Sequence, residues 1–278
     1  MVLPREYVAK CQTIPCKSVN VDHGRLVMRE GKRDIAVDFY HEYVRQMDSL
    51  DYIKKMTSLD EQFDETDPIK FWEDFWMNLS IDKMKEQDYA TSYNSLTKGK
   101  ILDLNNFKSF LNDSIEAGYF DEKLKGNRQT KRRRFQGINT SMLFLGSRGA
   151  AFPFHWEDMD LFSISINLDG KTKIWNVVPR KYNEVVQSIT YANQLEIENK
   201  CSIPLRHKNS MIHPSVLSDH GIKNYLILQE KGMAVVTFSK VGHQGINMGY
   251  NVAEAVNFCV DSEWIWDGLT ATIVSISS

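Results

Sequence analysis

Apolar and polar positions change their period near residue 138. Over 34–57, Val37, Tyr40, Val44 and Met47 recur at spacings of three and four, the signature of one helix face, and predict a helix there. The acidic run DEQFDETD (60–67) predicts a loop, and Asp67-Pro68 opens the next helix. In that helix Phe71, Trp72, Phe75 and Trp76 gather on one side, a stripe that reads as core packing before any ligand box. A third helical segment is expected at about 103–117.

Beyond residue 138 the segments are short and rich in β-branched and aromatic residues, which predicts strands at 140–146, 160–167, 172–178, 233–238 and 254–260. A helix at about 180–190 and a helical turn in HPSVLSDHG interrupt them. Short strands with irregular loops point to a closed or sandwich-like β core. The expected fold class is α+β, with helices packed on a single C-terminal barrel. Residues 1–136 would form a helical N-terminal layer contributing to the same unit and residues 137–278 the β core. Internal repeats are absent.

Composition narrows the function classes. Of 278 residues, 42% are hydrophobic and 25% charged, ordinary globular values that exclude disorder and fibre as overall descriptions. Lys plus Arg total 34 against 36 Asp plus Glu, a net charge of −2, so the basic surplus of a phosphate-neutralising domain is missing. Direct DNA contact is therefore weak or local. The local candidate is Lys131, Arg132, Arg133 and Arg134 in KLKGNRQTKRRR, a solvated loop that can also serve nuclear import. No apolar run approaches the ~20 residues of a membrane-spanning helix, and no secretory h-region opens the chain. Cys11, Cys16, Cys201 and Cys259 are too few for a disulfide scaffold and predict reduced thiols in an intracellular compartment.

The chemistry concentrates in FPFHWEDMDLFSISIN. His155 and Glu157 are alternate residues, and on an extended strand alternate side chains share a face. His243 follows in VTFSKVGHQGIN, just past another strand. Two imidazoles and a carboxylate form the facial set that holds Fe(II) and leaves positions open for a bidentate co-substrate and dioxygen; zinc favours a closed tetrahedral set. Lys173 lies within the apolar strand TKIWNVV. A lysine there either reaches water or meets a buried anion, and facing inward it can anchor the far carboxylate of 2-oxoglutarate.

GINTSMLFLG, FPFHWEDMDLFSISIN, GKTKIW, LRHK, QEKGMAVVTF and GHQGINMGYNVAEAVNF follow one another in the order found in the Jumonji C (JmjC) oxygenases. Over about 137–268 the chain resembles most the lysine demethylase 4 branch of histone demethylases; over about 70–100 the similarity is thinner. The resemblance implies a double-stranded β-helix, a cupin-like jelly roll with flanking, mainly N-terminal helices. It implies Fe(II) held by His155, Glu157 and His243, with 2-oxoglutarate and O2 as co-substrates. Tyr89 and Lys173 would pair with the far carboxylate of 2-oxoglutarate, Phe152 would pack over it, and Lys208 would lie near the oxygen side. Ala255 and Asn257 would line a methyl-lysine pocket. The implied reaction is removal of lysine methyl groups as formaldehyde, on a histone tail or another peptide, in the nucleus and among chromatin-associated proteins.

Three positions depart from that branch. Phe144 stands where a tyrosine is expected, Ser165 where an asparagine lies beside the co-substrate, and Ser92 where an aspartate grips the substrate backbone. Loss of a buried polar partner costs about 1–3 kcal/mol, enough to retarget peptide binding while the iron apparatus stays intact. Two alternatives follow: a protein side-chain hydroxylase, and a catalytically weak chromatin-binding or recruitment module. Cys201 and His207 match half of a structural zinc site, which needs four ligands; Cys11 and Cys16 are one way to complete it, ligands beyond residue 278 another.

Overall fold

In a computed structural model describing residues 18–28, 37–62, 66–79, 85–92, 137–138, 141–192, 203–208 and 210–258, the strands expected after residue 138 become two antiparallel sheets. The described elements, in chain order, are β1 (Ser18–Met28), β2 (Val37–Asp48), α1 (Ser49–Asp60), α2 (Pro68–Met77), β3 (Lys85–Ser92), β4 (Met142–Gly146), β5 (Ala151–His155), β6 (Phe162–Gly170), β7 (Lys173–Val178), α3 (Asn183–Ala192), β8 (Ser210–Met211), α4 (Pro214–Asp219), β9 (Tyr225–Gln229), β10 (Ala234–Thr237), β11 (Gly242–Asn247) and β12 (Asn251–Phe258). Among these residues the larger sheet has eight strands in the order β10-β6-β12-β4-β3-β1-β2-β8, and the smaller has four, β5-β11-β7-β9. This is the jelly-roll barrel with flanking helices.

Alternation along the strands separates core from cavity. On β4, Leu143 and Leu145 are buried with Ile164 and Ile166 of β6, Val252 and Val256 of β12, and Tyr52 and Met56 of α1. Met142, Phe144 and Gly146 turn instead to a cavity between the sheets. The Tyr52 hydroxyl donates to the Leu145 carbonyl at 3.3 Å, which fixes α1 on the larger sheet. The aromatic stripe of α2 is core, as its spacing predicts. Phe71, Trp72, Phe75 and Trp76 pack with Ile174 and Ile246 of the smaller sheet, and Asp67 caps that helix by accepting from the Ile69 and Lys70 amides.

The helix expected over 34–57 is a strand followed by a helix. β2 pairs with β1 from Met28↔Val37 to Ser18↔Asp48, and its Val37, Phe39, Tyr40, Tyr43 and Val44 are residues that favour pleated surfaces. Helix starts only at Ser49, because the Asp48 side chain accepts from the Leu50 and Asp51 amides at 2.8 and 3.3 Å. N-terminal residues also supply strands: β3 pairs with β4 through Ala90↔Leu145, Thr91↔Phe144 and Ser92↔Leu143, where a purely helical layer was expected. The helix expected at 103–117 and the basic run at 131–134 lie outside the described residues. No helix among the described residues is long and apolar enough to cross a membrane.

Candidate functional site

The sequence of β5, AFPFH, builds one wall of the cavity. Three residues of β11 (His243 to Gly245) lie opposite four of β5 (Phe152 to His155). The extra residue is a bulge, a device that re-aims side chains. It falls within Pro153-Phe154, and Pro153 has no N–H to give to a ladder. The bulge puts Phe152 and His155, three positions apart, on the same cavity. Gly245 makes room for this wall: a Cβ there would stand 2.2 Å from the Ile174 carbonyl oxygen and 2.3 Å from Phe152 Cζ.

His155 and His243 are register partners, their rings 4.4 Å apart. Glu157 follows two residues on and brings Oε1 to 3.5 Å from His243 Nε2. The ligand atoms of His155, Glu157 and His243 all lie within 4.8 Å of one another. Each histidine uses Nδ1 on the carbonyl two residues behind it: His155 on Pro153 at 2.7 Å and His243 on Val241 at 3.0 Å. A carbonyl only accepts, so each Nδ1 carries the hydrogen and each Nε2 keeps its lone pair for a ligand. Burial, reinforced by His243 and Lys208, pushes the His155 imidazole down to about 3. Burial alone would raise the Glu157 carboxyl, but His243, His155 and Lys208 together hold it well below the usual carboxylate range. Neutral imidazole nitrogen beside an ionised carboxylate fits a divalent cation.

The cavity holds about 380 Å³, and Phe144, Phe152, Ser165, Lys173, Lys208, Ala255 and Asn257 line it with the three metal-type residues. Lys173 is 8% exposed, and burial lowers its ammonium to about 8, a state that an anionic ligand would relieve. Its Nζ lies 5.8 Å from the centre of the Phe152 ring. Phe152 packs edge-on to Trp175, with centroids 4.8 Å apart, and Trp175 lies 5.5 Å from the His243 ring. Gln229 steadies this wall by accepting from Trp175 Nε1 and donating to the Ser165 carbonyl, both at 2.8 Å.

The segment from β4 to β12 is similar to a JmjC domain. Residues 142–258 match the family described as JmjC domain, hydroxylase. Over 137 residues, 49% of this chain, the sequence is 37% identical to lysine-specific demethylase 4D of Rattus norvegicus, of which 27% is covered. It is 39% identical over 139 residues to probable lysine-specific demethylase 4F of Homo sapiens, covering 21% of that protein. It is 35% identical over 137 residues to lysine-specific demethylase 4B of Mus musculus, covering 12%. The chain thus matches well under half the length of each of these relatives.

Within this JmjC-like segment, charged residues organise the site, and of these the sequence reading named Lys208 alone. The turn after Glu157 carries Asp158 and Asp160. The fully buried Asp160 meets Arg206 at 2.9 Å and Lys240 at 3.5 Å, while Asp158 meets Lys208 at 3.0 Å. Met159, Asp160, Lys208 and Lys240 are the non-glycine residues with positive φ among those described, at 52°, 55°, 52° and 59°. Backbone strain of that kind persists only where surrounding contacts hold it. Here the ion pairs join the Glu157 turn, the 204–208 segment and the turn that leads into His243. The acid-rich EDMD was a visible signal; its distant cations were not.

The other expected site residues divide. Tyr89 and Ser92 lie on β3, whose Tyr89 is the register partner of Asp22 and whose Ser92 is the partner of Leu143; the described part of both is backbone. His207 ends a short 3-10 helix, Pro204–His207. Cys11, Cys16, Cys201 and Cys259 fall outside the described residues, so the zinc expectation does too.

Proposed function

We propose that this JmjC-like protein is an Fe(II)- and 2-oxoglutarate-dependent oxygenase that removes methyl groups from methylated lysine of a histone tail or similar peptide. The observation that carries the reading is the convergence of His155, Glu157 and His243 within 4.8 Å, in a cavity that also receives the buried Lys173. The lysine-specific demethylases among its relatives support the substrate class. A nuclear, chromatin-associated setting follows from that class.

His155, Glu157 and His243 would hold the iron. Bound there with 2-oxoglutarate and dioxygen, iron supplies oxidation of an N-methyl C–H bond, and the hydroxymethyl amine then releases formaldehyde. Lys173 pairs its ammonium with the far carboxylate of 2-oxoglutarate, and Phe152 and Trp175 enclose the carbon chain. Burial strengthens that ion pair relative to water. Lys208, held by Asp158, sets a cation at the cavity edge. Apolar Met142, Phe144 and Ala255 give the substrate side chain a dry channel. The same apolar lining favours the second reading, stable side-chain hydroxylation, because it offers a methylammonium few oxygens.

The test combines pure protein, Fe(II), ascorbate, 2-oxoglutarate and a panel of methylated histone peptides, followed by mass. Stepwise loss of methylene mass with formaldehyde supports demethylation. A stable gain of one oxygen moves the assignment to hydroxylation. No peptide change and no succinate across the panel would leave a binding module. His155→Ala should abolish turnover; retained turnover would overturn the metal assignment.

A further inference from the structure

Asn257 touches the metal-type carboxylate itself. Its Nδ2 donates to Glu157 Oε2 at 2.9 Å and to the Phe162 carbonyl at 3.1 Å. Both partners present acceptor oxygens, one of a carboxylate and the other of a backbone carbonyl. The chemistry of the partners therefore sets which way the amide points. Its backbone is fixed as well, since the Asn257 amide donates to the Gly137 carbonyl at 3.2 Å and its Cα pairs with Ser163 of β6. Asn257 is 6% exposed, so water does not substitute for these bonds. Glu157, by contrast, lies in the turn between β5 and β6, where no ladder holds it.

We infer that Asn257 is a positioning residue that makes Glu157 a one-oxygen ligand. The amide occupies Oε2 and leaves Oε1 turned toward His243 Nε2, 3.5 Å away. A carboxylate free to rotate can chelate through both oxygens and take a position that co-substrate needs; one tethered at Oε2 cannot. The sequence resemblance placed Asn257 in the substrate pocket. With both Nδ2 hydrogens committed, the only side-chain atom Asn257 has left for a ligand is Oδ1, an acceptor, so it offers a bound peptide no hydrogen bond donor.

This inference rests on reading the triad as a metal site, and the experiment separates the two. Co(II) is titrated into metal-free full-length chain and followed by its visible d–d absorption and by calorimetry, with folding checked by circular dichroism. Wild type should bind one Co(II); absence of binding would overturn the triad reading and this inference together. Asn257→Leu, close in size but unable to donate, should bind Co(II) about 10–100-fold more weakly, as loss of an outer partner does, with a changed absorption band. Asn257→Ser serves if the leucine variant does not fold. Asn167→Ala removes another buried amide, one that donates to the carbonyls of Lys171 and Gln229 and does not line the cavity, and should keep wild-type affinity and band. Unchanged affinity and spectrum in a folded Asn257 variant, or equal loss in Asn167→Ala, would overturn the inference while leaving the metal site standing.

Discussion

Asp160 and Arg206 form an ion pair at 2.9 Å, with side chains 0% and 9% exposed, three residues beyond Glu157. Lys240 reaches the second oxygen of the same carboxylate at 3.5 Å. Removing one member of a buried pair leaves an uncompensated charge, which costs about 3–5 kcal/mol. Asp160→Ala should lose stability on that scale in urea unfolding and should weaken Co(II) binding, because the turns carrying Glu157 and His243 part. Lys240→Met should have a smaller effect, since Lys240 is more than a third exposed.

Lys173 gives two pH effects of opposite sign. Burial lowers its ammonium from an ordinary 10.5 to about 8, so between these values the unfolded chain binds more protons than the folded one. Stability of the ligand-free protein should therefore rise as pH goes from about 8 to 10.5, by roughly 3 kcal/mol from this group. An anionic ligand needs the charged ammonium. Affinity for 2-oxoglutarate in the presence of Mn(II) should be greatest below pH 8 and fall as pH rises through it. Calorimetry at a series of pH values checks this, and Lys173→Met should bind at least ~10-fold more weakly, with the step at pH 8 gone.

Acid acts through His155. Its ordinary value is 6.5 and its folded value about 3, so as pH falls below 6.5 the unfolded chain takes up a proton that the folded chain refuses. Metal-free protein should lose Tm progressively between pH 6.5 and 3, and His155→Gln should flatten that slope. Wild type losing no more Tm than His155→Gln would contradict a neutral, buried imidazole.

Phe75 tests the packing that supports the site from behind. It is 2% exposed and sits among Trp72, Trp76 and the Ile174–Ile246 face of the smaller sheet. Phe75→Ala should cost about 3–5 kcal/mol in equilibrium unfolding. Its Co(II) absorption band, measured well below the transition, should match wild type, because the cavity lies on the other face of that sheet.

Much of the site was legible because it is local. His155 and Glu157 share a strand end, Lys173 stands out as a charge in an apolar run, and Asp67-Pro68 marks a helix start through capping chemistry that needs no partner. Motif order then joined His243 to the pair. The helix predicted over 34–57 failed for the converse reason. Val37, Tyr40, Val44 and Met47 satisfy a helical period, yet the β1 backbone supplied hydrogen bonds that outweighed it.

Composition and local pattern by themselves determined a β-rich C-terminal half, the metal-type residues and the aromatic stripe of α2, since each depends on neighbours in sequence and on period. Only the tertiary structure decided that β1 to β3 extend the same sheet, that a bulge within Pro153-Phe154 aims Phe152 and His155 together, and that Asp160 binds Arg206 and Lys240. The amide of Asn257 on Glu157 belongs to that second group. A buried charge or amide is settled by whichever partner the fold brings to it, and those partners lie 46, 80 and 100 positions away along the chain. No sequence period spans such distances, whereas a closed barrel brings them within hydrogen-bonding or ion-pairing reach.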